Sequence, residues 1–400
     1  MSTLWTVTIT MAFLSGLLLI SVSIYLNQLS EGAVHSSKMN NEVLKKSPLA
    51  TETVANGNVA DNHDNHLPLV INTWNVTKAA HGAWQELKTN DASSLDALVY
   101  GCSLCEDGSC MSSIGMGGRP DENGETTLDA MVMDGKTMDA GSVGSLRQIM
   151  NAIKVARDVL KYTAHTLLVG ELATDFAVSM GFEKKSLQTN SSLESWIQWK
   201  NNSCQPNFWR NVIPDPTSHC GPYSPDESLY SKNIKQTDNK RKSIDYSSRV
   251  DKNCHDTIGM IVIDDNGNVA AGTTTNGACC KIPGRVGDSP IVGAGAYARN
   301  GVGGAAATGD GDIMMRFLPS FHAVQLMSQG RDPTSAAQNA IYLISSFFPD
   351  VSAAMVTVNV EGDHGGACVG FEEFEYNFVD NSSGVITTVP VNCTRRAKLV

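Results

Sequence analysis

The sequence predicts a mixed α+β chain with antiparallel strand pairing in at least one place, and three local patterns carry that prediction. Two strand-like runs, Ile258–Asp264 and Asn268–Thr275, flank Asp265-Asn266-Gly267, and Asn-Gly between β-prone runs is the strongest short-range hairpin signal. Leu146, Ile149, Ile153, Ala156 and Leu160 recur at three- and four-residue spacing, which predicts an amphipathic helix from about Ser142 to Tyr162. The apolar run Leu67–Asn72 has strand character and leads through Thr73-Trp74 into a helical pattern from Thr77 to Leu87.

Taken from the start, the first 30 residues carry no Lys, Arg, Asp or Glu, and the run from Leu4 to Leu26 is apolar enough to enter a bilayer. Residues 1–30 therefore form a signal peptide or a retained anchor, and either delivers the rest of the chain to a lumen. Residues 31–66 are polar without hydrophobic period and read as a stalk. Folding begins near residue 67. A second polar stretch, 225–252, reads as an exposed linker that divides the folded part into 67–256 and 257–400. Further on, Gly293–Thr308 is rich in Gly and Ala, suited to close backbone approach, and Pro333–Phe348 reads as a helix with proline in its first turn.

Among 400 residues, 42% are hydrophobic and 18% charged, the make-up of a globular protein with a sizeable core. A formal net charge of -11 argues against a nucleic-acid partner, because phosphate contacts need clustered Lys and Arg. Ten cysteines and five Asn-x-Ser/Thr sites, at Asn75, Asn190, Asn201, Asn381 and Asn392, fit an oxidising, glycosylating compartment. Cys102, Cys105 and Cys110 have no convincing fourth ligand nearby, so they read as structural and no metal is expected.

Four features can carry chemistry. A two-residue turn at Asn266-Gly267 sets Ile258 opposite Thr275, with Thr257 beside it, and a bulge shifts this register by one. Thr257 opens its strand directly after a polar segment and after His255-Asp256. A cut before it gives one residue both a hydroxyl and an α-amine of pKa about 7.7–8.0, so nucleophile and base coincide. The plainer reading of Thr257 is a good β-former at a strand start. In Gly284-Arg285-Val286-Gly287-Asp288, a guanidinium fork suits an α-carboxylate and a carboxylate suits an α-ammonium; the alternative is an ion pair fixing a turn. Thr308-Gly309-Asp310-Gly311-Asp312 offers a hydroxyl and backbone N–H groups for an oxyanion, and lacks the spacing of a calcium loop. Gly287-Asp288-Ser289 is discounted as a lipolytic serine site because the serine precedes proline, and vicinal Cys279-Cys280 shows in sequence no electropositive setting that would make a thiol reactive.

These blocks occur in one order. HDTIGM at 255–260, AAGTTTNG at 270–277, GRVGDSPIVGAGAYA at 284–298 and TGDGDIMMRFLPS at 308–320 resemble the glycosylasparaginases (aspartylglucosaminidases), a family of N-terminal-nucleophile hydrolases. NTW at 72–74, GGRPDENGETTLDAMVMDG at 117–135, AHTLLVGE at 164–171 and NFWRNVIPDP at 207–216 extend the resemblance from about residue 67 to the end.

The resemblance implies a four-layer αββα sandwich, self-cleavage between Asp256 and Thr257, and an assembly of two α- and two β-chains. It implies hydrolysis of N4-(β-N-acetylglucosaminyl)-L-asparagine in glycoprotein degradation, in the lysosome or another lumenal space, without a cofactor. Carried over by residue, Thr257 is the nucleophile, Thr275 supports it, Arg285 and Asp288 clamp the substrate, Thr308 and Gly309 hold the oxyanion, and Trp74 positions the threonine. Val286, Gly287, Asp310 and Gly311 complete the binding loops. The same resemblance pairs Cys105 with Cys110, Cys204 with Cys220 and Cys368 with Cys393, and assigns no partner to Cys102, Cys254, Cys279 or Cys280. Asp310 departs from the asparagine of some relatives. Competing readings are an asparaginase or isoaspartyl peptidase of the same superfamily, and a catalytically silent membrane-tethered homologue.

Overall fold

A computed structural model describes residues 66–89, 92–236 and 257–394, all within the second of two units, Asp64–Val400. The N-terminal apolar run, most of the stalk, Cys254, His255 and Asp256 lie outside the described residues. Among those that are described, no helix is long and apolar enough to cross a membrane.

Strand β1 (Leu69–Thr73) leads into helices α1 (Thr77–Thr89) and α2 (Ser94–Ser103). Then come β2 (Thr127–Asp134), β3 (Ala140–Arg147), α3 (Ala152–Tyr162), β4 (Leu167–Val169), α4 (Gly170–Ser179), α5 (Asn190–Asn201), a short pair β5 (Val212–Ile213) and β6 (Ser224–Pro225), and α6 (Glu227–Gln236). The second part holds β7 (Ile258–Ile263), β8 (Val269–Thr275), β9 (Ala296–Arg299), β10 (Gly303–Gly309), α7 (Gly311–Met314), α8 (Pro319–Met327), α9 (Pro333–Phe347), and β11 to β14 (Ala353–Asn359, His364–Val369, Phe374–Asp380, Thr387–Val391).

One sheet has the order β14-β13-β1-β7-β8-β2-β3-β4 and a second the order β12-β11-β10-β9. All neighbours in both are antiparallel except β3 and β4. Side-chain alternation assigns each strand residue to one of three cores. Val70, Val132, Met260 and Val262 face α1 to α4, packing with Leu98, Ile153, Ala156 and Ala173. Leu69, Ile71, Met131 and Ile261 face the other way, onto Ala296, Ala306 and Val356 of the smaller sheet. Ala305, Ala307 and Met355 look outward onto Val324 of α8 and Ile341 and Ile344 of α9. Central strands are thus covered on both faces, which is why β7 reads as an unbroken apolar run. The Gly/Ala-rich stretch does bring backbones close: a Cβ on Gly304 would lie 2.6 Å from a methyl of Ile261 on the facing sheet.

Three expectations are corrected. Residues 142–147 belong to β3, and the helix begins only at Ala152. Leu146 and Ile149 share the core of Ile153 and Ala156, so the apolar spacing continues across a change of element that it cannot report. Part of the segment expected to be a featureless linker forms β6 and α6, although Glu227 to Tyr230 are exposed as expected. The hairpin has three loop residues instead of two: Gly267 donates to the Asp264 carbonyl, Asp264 N donates to the Asn268 carbonyl, and Gly267 takes φ 73°. Asp264 Oδ1 accepts from the N–H groups of Asn266 and Asn268, an Asx-type brace that selects this longer loop. Ile258 therefore faces Thr274, one residue from the two-residue-turn register, and the same register carried one step further sets Thr257 opposite Thr275.

Among the described residues, three disulfides join Cys105–Cys110, Cys204–Cys220 and Cys368–Cys393, with Cα atoms 5.1, 5.2 and 4.6 Å apart.

Candidate active site

Thr257 stands at the open end of β7, in the middle of the larger sheet, and is buried. Its carbonyl accepts a hydrogen bond of 2.7 Å from Thr73 Oγ1, and the same hydroxyl accepts from Gly259 N at 2.9 Å. Thr73 thus fixes the first turn of backbone after the expected cut. Across the hairpin, Thr275 Oγ1 accepts from Gly277 N at 3.0 Å.

Two loops close on this strand end. Gly309, at the end of β10, has φ 134°, a conformation open to glycine, and a Cβ there would lie 2.3 Å from the Ser352 carbonyl. Behind it, Thr308 Oγ1 accepts from Trp74 Nε1 at 3.3 Å, and Trp74 is held edge-on by Phe371 and Phe374. In the other loop, Gly287 N donates to Asp129 Oδ2 at 3.1 Å, tying the 284–288 segment to β2. Arg285 forms its ion pair with Asp312, Nη2 to Oδ2 at 2.9 Å, so the turn pair Arg285–Asp288 is replaced by a pairing between the two loops.

One cavity is lined by Thr257, Thr275, Arg285, Gly287, Asp288, Gly309, Asp310 and Gly311, together with Phe208, Gly277, Ala278, Ser289 and Asp312. Trp74, Val286 and Thr308 are not on its wall: Trp74 and Thr308 stand behind Gly309, and Val286 lies over Gly144 of β3. Asp256 is outside the described residues.

The electrostatics follow from burial. Asp288 is pushed up to about 7, chiefly by loss of water and only partly offset by Arg285, and its buried Oδ2 has no hydrogen-bond partner among the described residues. Asp310 is pushed up to about 6 by burial and by Asp312, against Arg285; its side chain does not cap the short helix α7 that it precedes. Burial works to lower Arg285, but Asp312, Asp129 and Asp288 together hold it above its ordinary value. The wall therefore offers a fixed guanidinium, an unsatisfied carboxyl and threonine hydroxyls within one polar cavity.

Sequence reasoning missed Thr73, Asp129, Phe208 and Lys281 as parts of this neighbourhood, and it placed Asp312 in the 308–312 loop without its pairing to Arg285. Asp129 left a signal, a carboxylate inside the apolar run of β2. Lys281 left none: it is fully buried, donates through Nζ to the Asn276 carbonyl, and lies near Asp129 and Asp121.

A two-sheet α+β frame holding threonine hydroxyls beside a guanidinium and an unpaired carboxyl has the make-up of an amide hydrolase for amino-acid substrates. The chain belongs to the asparaginase family, whose model (Asparaginase_2: Asparaginase) matches residues 52–384. It is 53% identical over 304 residues to the N(4)-(beta-N-acetylglucosaminyl)-L-asparaginase of Rattus norvegicus, covering 76% of this chain and 85% of the relative. Its counterpart in Mus musculus is 51% identical over 318 residues, 79% of this chain and 89% of the relative. A putative N(4)-(beta-N-acetylglucosaminyl)-L-asparaginase of Drosophila grimshawi is 50% identical over 330 residues, 82% of each.

Proposed function

We propose that this chain hydrolyses the side-chain amide of N4-(β-N-acetylglucosaminyl)-L-asparagine after cutting itself between Asp256 and Thr257. The observation that carries the reading is the convergence of Thr257, Thr275, Arg285, Asp288 and Gly309 on one cavity.

In the uncut chain the Thr257 hydroxyl attacks the Asp256 carbonyl, the acyl group passes from nitrogen to oxygen, and water releases the first chain. The new α-amine then serves as base for the same hydroxyl, which attacks the substrate amide. Arg285 takes the substrate α-carboxylate and Asp288 its α-ammonium, the partner that its unsatisfied Oδ2 lacks. Gly309 N–H, on the wall, receives the oxyanion; Thr308, held behind it by Trp74, sets the position of that loop, and Thr275 steadies the nucleophile.

The three cores support a four-layer αββα arrangement, with helices outside each sheet. Exposed apolar side chains on β4 and α4, with Leu172 78% exposed beside Leu167 and Val169, support an assembly of two α- and two β-chains. Lumenal, lysosomal residence is supported by three disulfides and by the exposure of all five candidate glycosylation asparagines. Intact mass of the purified protein, paired with an assay for aspartate release from glycosylasparagine, tests the function. A chain beginning at Thr257 and released aspartate are expected; an uncut chain that releases none overturns the reading.

A further inference from the structure

Beside the site, the chain between Thr275 and Arg285 carries two adjacent cysteines that the proposed reaction does not use. Cys279 Sγ lies 3.0 Å from Cys280 Sγ; Cys279 is half-buried, so a reagent can reach it, whereas Cys280 is buried against Trp199 and Cys204. Cys204 is already bonded to Cys220. Cys280 holds φ 56°, the left-handed region, and its N–H donates to the Pro120 carbonyl at 2.7 Å, while the Lys281 carbonyl accepts from Glu122 N at 3.0 Å. The backbone is thus held in the bend that turns the two sulfurs toward each other.

Lys281 supplies what the sequence could not show. Burial lowers the pKa of its amine, and Asp129, Asp121 and Cys279 only partly offset this, so a buried basic group lies within electrostatic reach of Cys279. On the other side, the loop touches the site directly. Gly277 and Ala278 line the cavity with Thr257, Gly277 N donates to Thr275 Oγ1, and a Cβ on Gly277 would lie 2.8 Å from Arg285 Nη1.

We propose that Cys279 and Cys280 form a redox-active vicinal disulfide that sets the position of the loop joining Thr275 to Arg285. It forms by exchange with an oxidised dithiol partner of the lumen. The Cys279 thiolate attacks one sulfur of the partner's disulfide, giving a mixed disulfide and a partner thiolate. Cys280, losing its proton, then attacks Cys279 Sγ and expels the second partner thiolate. Two S–H bonds are lost and one S–S bond is formed, while the partner takes up two electrons and two protons. Consecutive Cα atoms lie about 3.8 Å apart across a trans peptide, less than disulfides ordinarily span, so this bond opens more readily than a relaxed one.

The test is peptide mapping of the unreduced, full-length purified protein after thiol alkylation. Trypsin yields a peptide ending at Lys281 that begins at Thr257 in cut protein or at Asn253 in uncut protein, so the result does not depend on self-cleavage. The expected peptide has no alkyl group on Cys279 or Cys280 and is two hydrogens lighter than its reduced form. Graded reduction should open it before the Cys105–Cys110, Cys204–Cys220 and Cys368–Cys393 disulfides and lower kcat/KM about tenfold, through misplacement of Thr275 and Arg285. The Cys279→Ser/Cys280→Ser double variant should show no such response to reductant. Alkyl groups on both cysteines, a cross-link from either to Cys254, Cys204 or Cys220, or a wild-type kcat/KM indifferent to opening of the pair would each overturn the proposal. If the double variant does not fold, the wild-type peptide mass still decides.

Discussion

Arg285 gives its ion pair to Asp312, 2.9 Å away on the other loop, and leaves Asp288 with a buried carboxyl oxygen that no described residue satisfies. Asp312 orients the guanidinium while Asp288 stays available, which is the division of labour that the proposed clamp on a zwitterionic substrate requires.

Substitution of the fork tests this division. Arg285→Lys keeps the charge but loses the paired N–H geometry toward Asp312 and a carboxylate, and is expected to lower kcat/KM by about 1.5–3 kcal/mol. Steady-state kinetics on glycosylasparagine measure it; unchanged values would make Arg285 a structural link between loops.

The threonine at the strand end is tested by separating its two roles. Thr257→Ala should leave a folded, uncut chain without hydrolase activity, and Thr257→Ser should retain part of both reactions. Thr257→Cys should still cut, since a thiol performs the acyl shift, but hydrolyse the amide poorly. Gel mobility and aspartate release report the two steps; cleavage before residue 257 together with aspartate release in the alanine variant would refute the assignment.

Thr73 makes two buried hydrogen bonds around the same strand end, to the Thr257 carbonyl and from Gly259 N. Thr73→Val keeps the shape and removes both, at an expected cost on the order of 1–3 kcal/mol for the groups left unpaired. A lowered denaturant midpoint and slower self-cleavage should appear together. Normal cleavage at a lowered midpoint would restrict Thr73 to stability.

Burial raises Glu106 and Asp288 to about 7 and Asp310 to about 6, and for Glu106 the hydrogen bonds from Thr274 and Ile153 offset this only in part. When unfolded, such groups titrate near pH ~4, so the folded chain holds more protons between the two values. Their contribution to stability is complete below about pH 4 and is lost as pH rises through about 6 to 7. The Tm should therefore rise on acidification from neutral pH to about 5. Glu106→Gln, which keeps an acceptor for Thr274 and removes one titrating site, should flatten that slope, by on the order of 1 kcal/mol per pH unit. An unaltered slope would show that Glu106 does not titrate in this window.

Much of the neighbourhood was legible because it is local. The hairpin announced itself through Asn266-Gly267 and placed Thr275 near Thr257; the error of one residue came from Asp264, whose side chain chose the longer loop. The strand β3 was hidden because Leu146 and Ile149 serve the same core as the helix that follows. Contacts made by tertiary approach left no local mark: Arg285 and Asp312 are 27 positions apart, and Trp74 and Thr308 are 234 apart. The environment of Cys279 was equally invisible, since burial of Lys281 is a property of the assembled fold.

The larger sheet has one further consequence, which concerns the order of events in making the protein. Strand β1 lies between β13 and β7, and β8 lies between β7 and β2, so segments from before and after Thr257 are interleaved within one hydrogen-bonded surface. A cut before Thr257 would leave two pieces woven together, each lacking strands needed to complete the sheet alone. Folding must then precede cutting, and a cut molecule, once melted, has lost the continuous chain that guided its first assembly. Durability of the mature form becomes a matter of how slowly it opens rather than of how well it refolds.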